Sequence, residues 1–260
     1  EGVTEEVFTP KSVILEINSK SGLYPLYAAY NIYRSRIEEA KKKYREEVGR
    51  QLALQLWDAT LEENILVVCK TPMARSITKR TLAGFRETTV RAEYYPELIE
   101  NISKQPESVV NMLHDGKRFW HFNDKEYMKI DAIIGNPPYQ VTTENTSDTP
   151  VYHLFIDLAS KLSQRVSLIT PARYLFNAGK TPEDWNTKIL NDKHFKVVWY
   201  KANSTDVFPN VDIEGGIAVM YRDSKQCFEK IGTFTAYPQL NEIVNKVETL
   251  SKKGAFAKLI

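Results

Sequence analysis

Four consecutive residues, Asn136-Pro137-Pro138-Tyr139, have types and an order that can do chemistry. The Asn136 side-chain oxygen and the Pro137 carbonyl are two neighbouring hydrogen-bond acceptors. Offered to the two N–H groups of a nucleobase's exocyclic amine, they draw its nitrogen toward tetrahedral geometry and free a lone pair otherwise conjugated with the ring. Pro138 fixes its own φ and biases Pro137 toward an extended conformation, so that carbonyl is held in place. The Tyr139 ring offers a face on which a base can stack, worth roughly 1–3 kcal/mol. A strong general base is unnecessary, because such an amine becomes acidic only once it has formed its new bond.

These residues need a rigid platform, and the preceding sequence supplies one. Asp131-Ala132-Ile133-Ile134-Gly135 is a short apolar run bounded by Gly and Pro, the pattern of a buried parallel strand. The tetrapeptide then lies in the loop leaving that strand's carboxyl end, where open α/β sheets bind ligands. Other apolar runs predict further strands at 12–16, 65–69, 118–122, 166–169, 195–199 and 216–221, the last paired antiparallel near the sheet edge. Helical spacing is expected from Leu23 to about Val48 and over 152–162, and Thr71-Pro72 reads as a helix start. Strands alternating with helices imply an α/β fold, a mostly parallel doubly wound sheet. The polar stretch 140–150 has the composition of a mobile lid.

Asn-Pro-Pro-Tyr after an Asp-apolar-apolar-apolar-Gly strand resembles the catalytic motif of amino-methyltransferases that use S-adenosylmethionine. Their usual target is adenine N6 in DNA. The resemblance implies a Rossmann-like methyltransferase fold, with Asn136, Pro137, Pro138 and Tyr139 catalytic and Phe208, in Asp206-Val207-Phe208-Pro209-Asn210, packing on the flipped base. It also implies a cofactor motif on the first strand and turn, Ile14-Leu15-Glu16-Ile17-Asn18-Ser19-Lys20-Ser21-Gly22. Glu16 would bond near the methionine amine, Asn18 would line the site, and Gly22 would let the chain pass close to the cofactor. Thr9-Pro10 is similar to the family's N-terminal segment that touches the methionine carboxylate. Asp124, after the strand expected at 118–122, would read the cofactor's adenine.

The pattern is broken at two positions. Lys20 stands where most members have Gly, and Cys69 ends the second strand where an acid normally grips the ribose. The order of elements, cofactor motif before catalytic motif, is similar to type I and fused type IIG restriction–modification enzymes, whose target-recognition domain follows the methylase core. Double-stranded DNA and a fused or associated nuclease and recognition domain are the partners this implies. The same tetrapeptide also serves methylation of RNA or of protein glutamine. A degenerate methylase acting as a non-catalytic scaffold subunit is the alternative that Lys20 and Cys69 motivate.

Composition narrows the field without choosing a target. Lys and Arg number 35 against 33 Asp and Glu, a net charge of +2, so a nucleic-acid face would have to be local. Residues 75–91 are basic, read as a solvated helix face or a phosphate-backbone contact. Cys69 and Cys227 lie far apart, and the four His residues lack ligand spacing, so neither a disulfide framework nor a metal site is expected. No apolar run approaches ~18 residues, so no membrane span is expected, and the resemblance implies a prokaryotic cytoplasmic protein. The expected domains are a methyltransferase core over 1–223 and, over 224–260, a linker or the start of a target-recognition region. Beginning Glu1-Gly2, the chain reads as an excised piece.

Overall fold

The computed structural model describes residues 7–45, 47–141, 148–209, 211–237, 240, 243, 244, 246 and 247. The elements run β1 (Ile14–Ser19), α1 (Leu23–Tyr44), α2 (Arg50–Asn64), β2 (Ile65–Cys69), α3 (Pro72–Ala83), β3 (Arg91–Tyr94), α4 (Leu98–Lys104) and α5 (Pro106–His114). They continue through β4 (Ile130–Gly135), β5 (Gln140–Val141), β6 (Thr149–Pro150), α6 (Tyr152–Leu162), β7 (Ser163–Pro171), α7 (Glu183–Leu190), β8 (Phe195–Lys201) and β9 (Ile217–Asp223). Seven strands form an α/β mixed sheet in the order β3-β2-β1-β4-β7-β9-β8, and β5 pairs with β6 separately. The chain divides into two compact units, residues 1–138 with 154–168 and residues 139–153 with 169–260.

In the first unit, β1 runs parallel to β2 and to β4, with Glu16 opposite Val67 on one side and Ile134 on the other. β1 and β2 are buried along their whole length. Both have helices on their flanks, so an uninterrupted apolar run is what their position demands. Ile14, Ile65 and Val67 pack with Ala28, Ala29 and Ile32 of α1 and Leu61 of α2 in one core. Thr71 caps α3 by accepting from the Ala74 N–H at 3.0 Å, with Pro72 at the first helical position as the sequence predicts.

In the second unit, β8 and β9 pair antiparallel, β8 taking the sheet edge, with a register shift between Val197 and Trp199. Ser204 organises the loop between them: its hydroxyl donates to the Val211 carbonyl at 2.9 Å and accepts from the Ile213 N–H at 2.7 Å.

The structure differs from the sequence expectation in the middle of the first unit. No strand forms over 118–122; the third strand is Arg91–Tyr94. Phe119 and Trp120 are instead drawn inward by a turn in which the Asp115 carbonyl accepts from both N–H groups and the Leu113 carbonyl accepts from the Trp120 indole. The long helix ends at Tyr44, and α2 follows. Most of the stretch read as a lid, 142–147, lies outside the described residues, as does much of 224–260.

Candidate active site

The strand order reverses its direction of winding between β1 and β4, so the crevice at their carboxyl ends is the switch point of the sheet. Glu16, Asn18, Gly135 and Asn136 stand there. Glu16 is 3 % exposed, and burial pushes its carboxyl up to about 7 against the opposing hydrogen bond from Ser19. Its Oε2 has no hydrogen-bond partner among the described residues. Asn18 sits where the β1–β2 register shifts, at φ 74, buried, and its Nδ2 also lacks a partner. A non-glycine residue in the left-handed region is uncommon and marks sites where the backbone serves function.

Asn136 follows β4 and is half-buried. Burial and the Glu16 charge raise the pKa of the Tyr24 phenol, and a hydrogen bond from the Asn136 side chain lowers it. The Asn136 Oδ1 is itself buried without a partner. Gly135 makes this closeness workable. Its φ is 148, and an added Cβ would lie 3.2 Å from Glu16 Cγ.

Three buried polar atoms, Glu16 Oε2, Asn18 Nδ2 and Asn136 Oδ1, therefore go unused at two neighbouring strand ends. Buried polar groups are normally paired, and each unpaired one costs about 1–3 kcal/mol. Two acceptors and a donor left open at a switch point are suited to a ligand carrying both N–H groups and an acceptor.

The turn after β1 is locked from the side of α3. Ser19 Oγ accepts from the Gly22 N–H at 3.1 Å and lies 3.4 Å from Thr78 Oγ1, while Thr81 Oγ1 donates to the Ser21 carbonyl at 2.7 Å. Gly22 has φ 77, and a Cβ there would lie 3.0 Å from Thr78 Cα, so its glycine is explained by the approach of α3. Lys20 is an exposed residue whose pKa is lowered by partial burial of the charge and then by Lys70. Cys69 is 1 % exposed, with its thiol pushed up to about 11 by burial, so it stays protonated.

The other candidate residues are placed elsewhere. Thr9 bonds Ser12 at 2.7 Å through the hydroxyls, and the Pro10 carbonyl accepts from Asn64 Nδ2 at 3.0 Å and Arg36 Nη2 at 3.2 Å. Asn64 ends α2 immediately before β2, so this segment lies at the amino ends of the strands, opposite Glu16 and Asn136. Asp124 belongs to a loop gathered around Arg91, the first residue of β3. The Arg91 guanidinium donates to the Trp120 and His121 carbonyls at 2.7 and 3.0 Å and feels the Asp124 charge. The acid near the carboxyl end of β3 is Glu93, paired with Arg75 at 2.9 Å.

Pro137 and Pro138 are buried beside Asn136. Tyr139 and Phe208 belong to the second unit and are half-buried. The Tyr139 carbonyl accepts from the Val151 N–H at 3.0 Å, and the Phe208 N–H donates to the Ser204 carbonyl at 2.9 Å. Asn210 lies outside the described residues. Among the described residues no group of acidic, His and Cys side chains could hold a metal ion.

Sequence reasoning singled out neither Tyr24, which lies beside Asn136, nor Glu93, the carboxylate within the third strand. Tyr24 lies in a run of helical aromatics with nothing to single it out. The third strand reads Arg-Ala-Glu-Tyr, too short and polar to register as an apolar run.

Comparison with known proteins bears on this geometry. A model of the Eco57I restriction-modification methylases matches residues 63–208, a span containing Asn136 and Phe208 but not the Glu16 turn. An "uncharacterized adenine-specific methylase" of Mycoplasma pneumoniae is 32% identical over 114 residues, covering 38% of this chain and 27% of that protein. Among solved structures, the type ISP restriction-modification enzyme LlaGI, as a nuclease-deletion mutant with a DNA substrate mimic, aligns over 91% of this chain and 23% of its own at a TM-score of 0.51 and 12% identity. A chain from a type I restriction-modification system aligns over 97% of this chain and 49% of its own, at a TM-score of 0.50 and 14% identity. This chain thus spans about a quarter of the curated relative and at most about half of these solved chains. The matched span holds β2, β4 and the Asn-Pro-Pro-Tyr loop, and by it the chain belongs to the Eco57I restriction-modification methylase family.

Proposed function

We propose that this chain is the methyl-transfer core of an adenine-N6 DNA methylase of a restriction-modification system, using S-adenosylmethionine. The observation that carries this reading is the unpaired, buried Oδ1 of Asn136 at the end of β4, with the Glu16 carboxyl packed behind Gly135. The cofactor, when bound, supplies an activated methyl on a positive sulfur. Its methionine end carries an ammonium and a carboxylate, which match the open acceptor of Glu16 and the open donor of Asn18.

The remaining work falls to the chain itself. Asn136 Oδ1 and the Pro137 carbonyl accept from the N6 amine, localising its lone pair. Orientation and hydrogen-bond electrostatics are the protein's contribution to the step. Tyr139 and Phe208 supply faces for an adenine taken out of the DNA stack, which costs a few kcal/mol.

A second reading, a scaffold that no longer uses the cofactor, is favoured by the protonated Cys69 and by Lys20 beside Lys70 where the family places an acid and a glycine. Calorimetric titration with S-adenosylmethionine separates the two. Binding that Glu16→Gln weakens at least tenfold is the expected result. A folded chain that takes up no cofactor at millimolar concentration would transfer the case to the scaffold.

A further inference from the structure

Away from the β1–β4 crevice, the first unit has a second concavity at its β3 edge, a groove of about 620 Å3 between α3 and the 120–121 turn. β3 is the terminal strand of the sheet, with β2 between it and β1, so this groove is separate from the site of Glu16 and Asn136. Five cations line it, Arg75, Lys79, Arg80, Arg86 and Arg91, against the single carboxylate Glu93. In a chain whose net charge is only +2, that is a concentrated field.

The cations are not equally occupied. Arg91 is spent on carbonyls and Arg75 on Glu93. Lys79 makes no ion pair among the described residues. Arg86 pairs with Asp58 at 2.8 Å, yet its Nη1 is buried without a hydrogen-bond partner. Arg80 lies 4.2 Å from the centre of the Phe85 ring, and Phe85 is 90 % exposed. A fully exposed aromatic held against a guanidinium at the rim of a basic groove contributes nothing to the core. It does provide a flat surface beside a row of phosphate-binding cations.

From these features the geometry points to a binding site for single-stranded nucleic acid. Its backbone lies along Lys79, Arg80 and Arg86, and a base stacks on Phe85. A cation-lined groove with an adjoining aromatic is how unpaired strands are held without sequence preference. The exposed Phe85 face favours one strand over two, since a base paired and stacked within a duplex is not free to stack on it. In a restriction-modification protein such a site would hold a strand displaced outside the methylation crevice. The inference does not depend on methyl transfer by Asn136.

The test is fluorescence anisotropy with a labelled oligothymidylate and with a duplex of equal length, across a salt series. The proteins are the 260-residue chain, Lys79→Gln/Arg80→Gln, Phe85→Ala and Asn136→Ala. All four substituted side chains are at least partly exposed, and thermal melts verify folding. The unsubstituted chain is expected to prefer the single strand. The double variant should weaken it at least tenfold and flatten the plot of log K against log salt by about 1.4, or about 0.7 for each phosphate no longer neutralised. Phe85→Ala should weaken the single strand roughly fivefold or more, as expected for one base left unstacked, and leave the duplex unchanged. Asn136→Ala should bind as the unsubstituted chain does. Equal affinity and equal salt slope in the double variant overturn the site, as does a preference for duplex. Failure of Asn136→Ala to bind oligothymidylate would relocate the strand to the methylation crevice and overturn the site as well.

Discussion

A Cβ built on Gly135 would stand 3.2 Å from Glu16 Cγ, so the loop bearing Asn136 and the carboxyl near the end of β1 are packed against each other. This proximity joins the half of the crevice suited to a cofactor to the half suited to an amine. It also explains why the motif's strand ends in glycine, since φ is 148 at this position. Gly135→Ala should therefore cost about 1–3 kcal/mol in backbone strain and displace the Glu16 carboxyl. Urea unfolding and cofactor titration should show both effects together. A variant of unchanged stability and unchanged cofactor affinity would show that the packing is incidental.

Glu16 also gives the protein a characteristic response to pH. Its carboxyl is held at about 7 in the folded chain, against 4.5 for an exposed glutamate. The folded chain keeps a proton that the unfolded chain releases between those values, so the stability due to neutral Glu16 is full below pH 4.5 and is lost as pH rises to about 7. The gap, about 7 minus 4.5, at 1.36 kcal/mol per unit, gives roughly 3 kcal/mol. Urea midpoints should fall over this window more steeply in the unsubstituted chain than in Glu16→Gln. A cationic ligand beside the ionised carboxyl inverts the dependence for binding. Cofactor affinity should rise up to about tenfold per pH unit between roughly 5.5 and 7, with proton release detectable by calorimetry in buffers of different ionisation enthalpy.

Asn136 should show activity and stability pulling apart. Its Oδ1 is a buried acceptor without a partner, and its side chain lies beside the Tyr24 phenol. Removing the side chain relieves an unpaired group worth about 1–3 kcal/mol and sacrifices one hydrogen bond worth about 1 kcal/mol. Asn136→Ala should melt at or above the temperature of the unsubstituted chain and transfer no methyl to adenine-containing DNA. Undiminished turnover would refute the proposed acceptor, and a destabilisation of several kcal/mol would make Asn136 a structural residue.

The parts of this site legible in the sequence were those written in consecutive residues. Ile65–Cys69, the helix start at Pro72 and the helix Tyr152–Leu162 announce themselves by apolar runs, capping residues and helical spacing, and the mostly parallel sheet they imply is observed with a different third strand. The short strand Arg91–Tyr94 does not, because its identity comes from pairing with β2. The expected strand over 118–122 put Asp124 at a strand end, whereas the structure has it beside Arg91 and has Glu93 near the carboxyl end of β3. Thr9-Pro10 shows the limit of a two-residue match. Its surroundings, Ser12, Arg36 and Asn64, come from three parts of the chain and place it at the opposite end of the strands. The Tyr24–Asn136 and Glu16–Gly135 relationships are likewise tertiary and have no local signature.

Lys20 provides the last prediction, because it departs from the family pattern at the turn where a cationic cofactor would bind. Its charge is disfavoured in the folded chain, chiefly by burial and then by Lys70, which follows Cys69 at the end of β2. Lys20 replaces the expected glycine with positive charge, the neutral Cys69 stands in place of the expected acid, and Lys70 adds a second ammonium beside it. Two unit charges about 10 Å apart repel by roughly 0.4 kcal/mol in water and about 1.7 kcal/mol at an effective dielectric of about 20. Lys20→Ala should thus raise affinity for S-adenosylmethionine about two- to tenfold, with a smaller gain at high salt because the repulsion is screened. Affinity for S-adenosylhomocysteine, which lacks the sulfonium charge, should rise less. If the substitution weakens both ligands, Lys20 instead touches the cofactor directly, and the turn has been remodelled to use it.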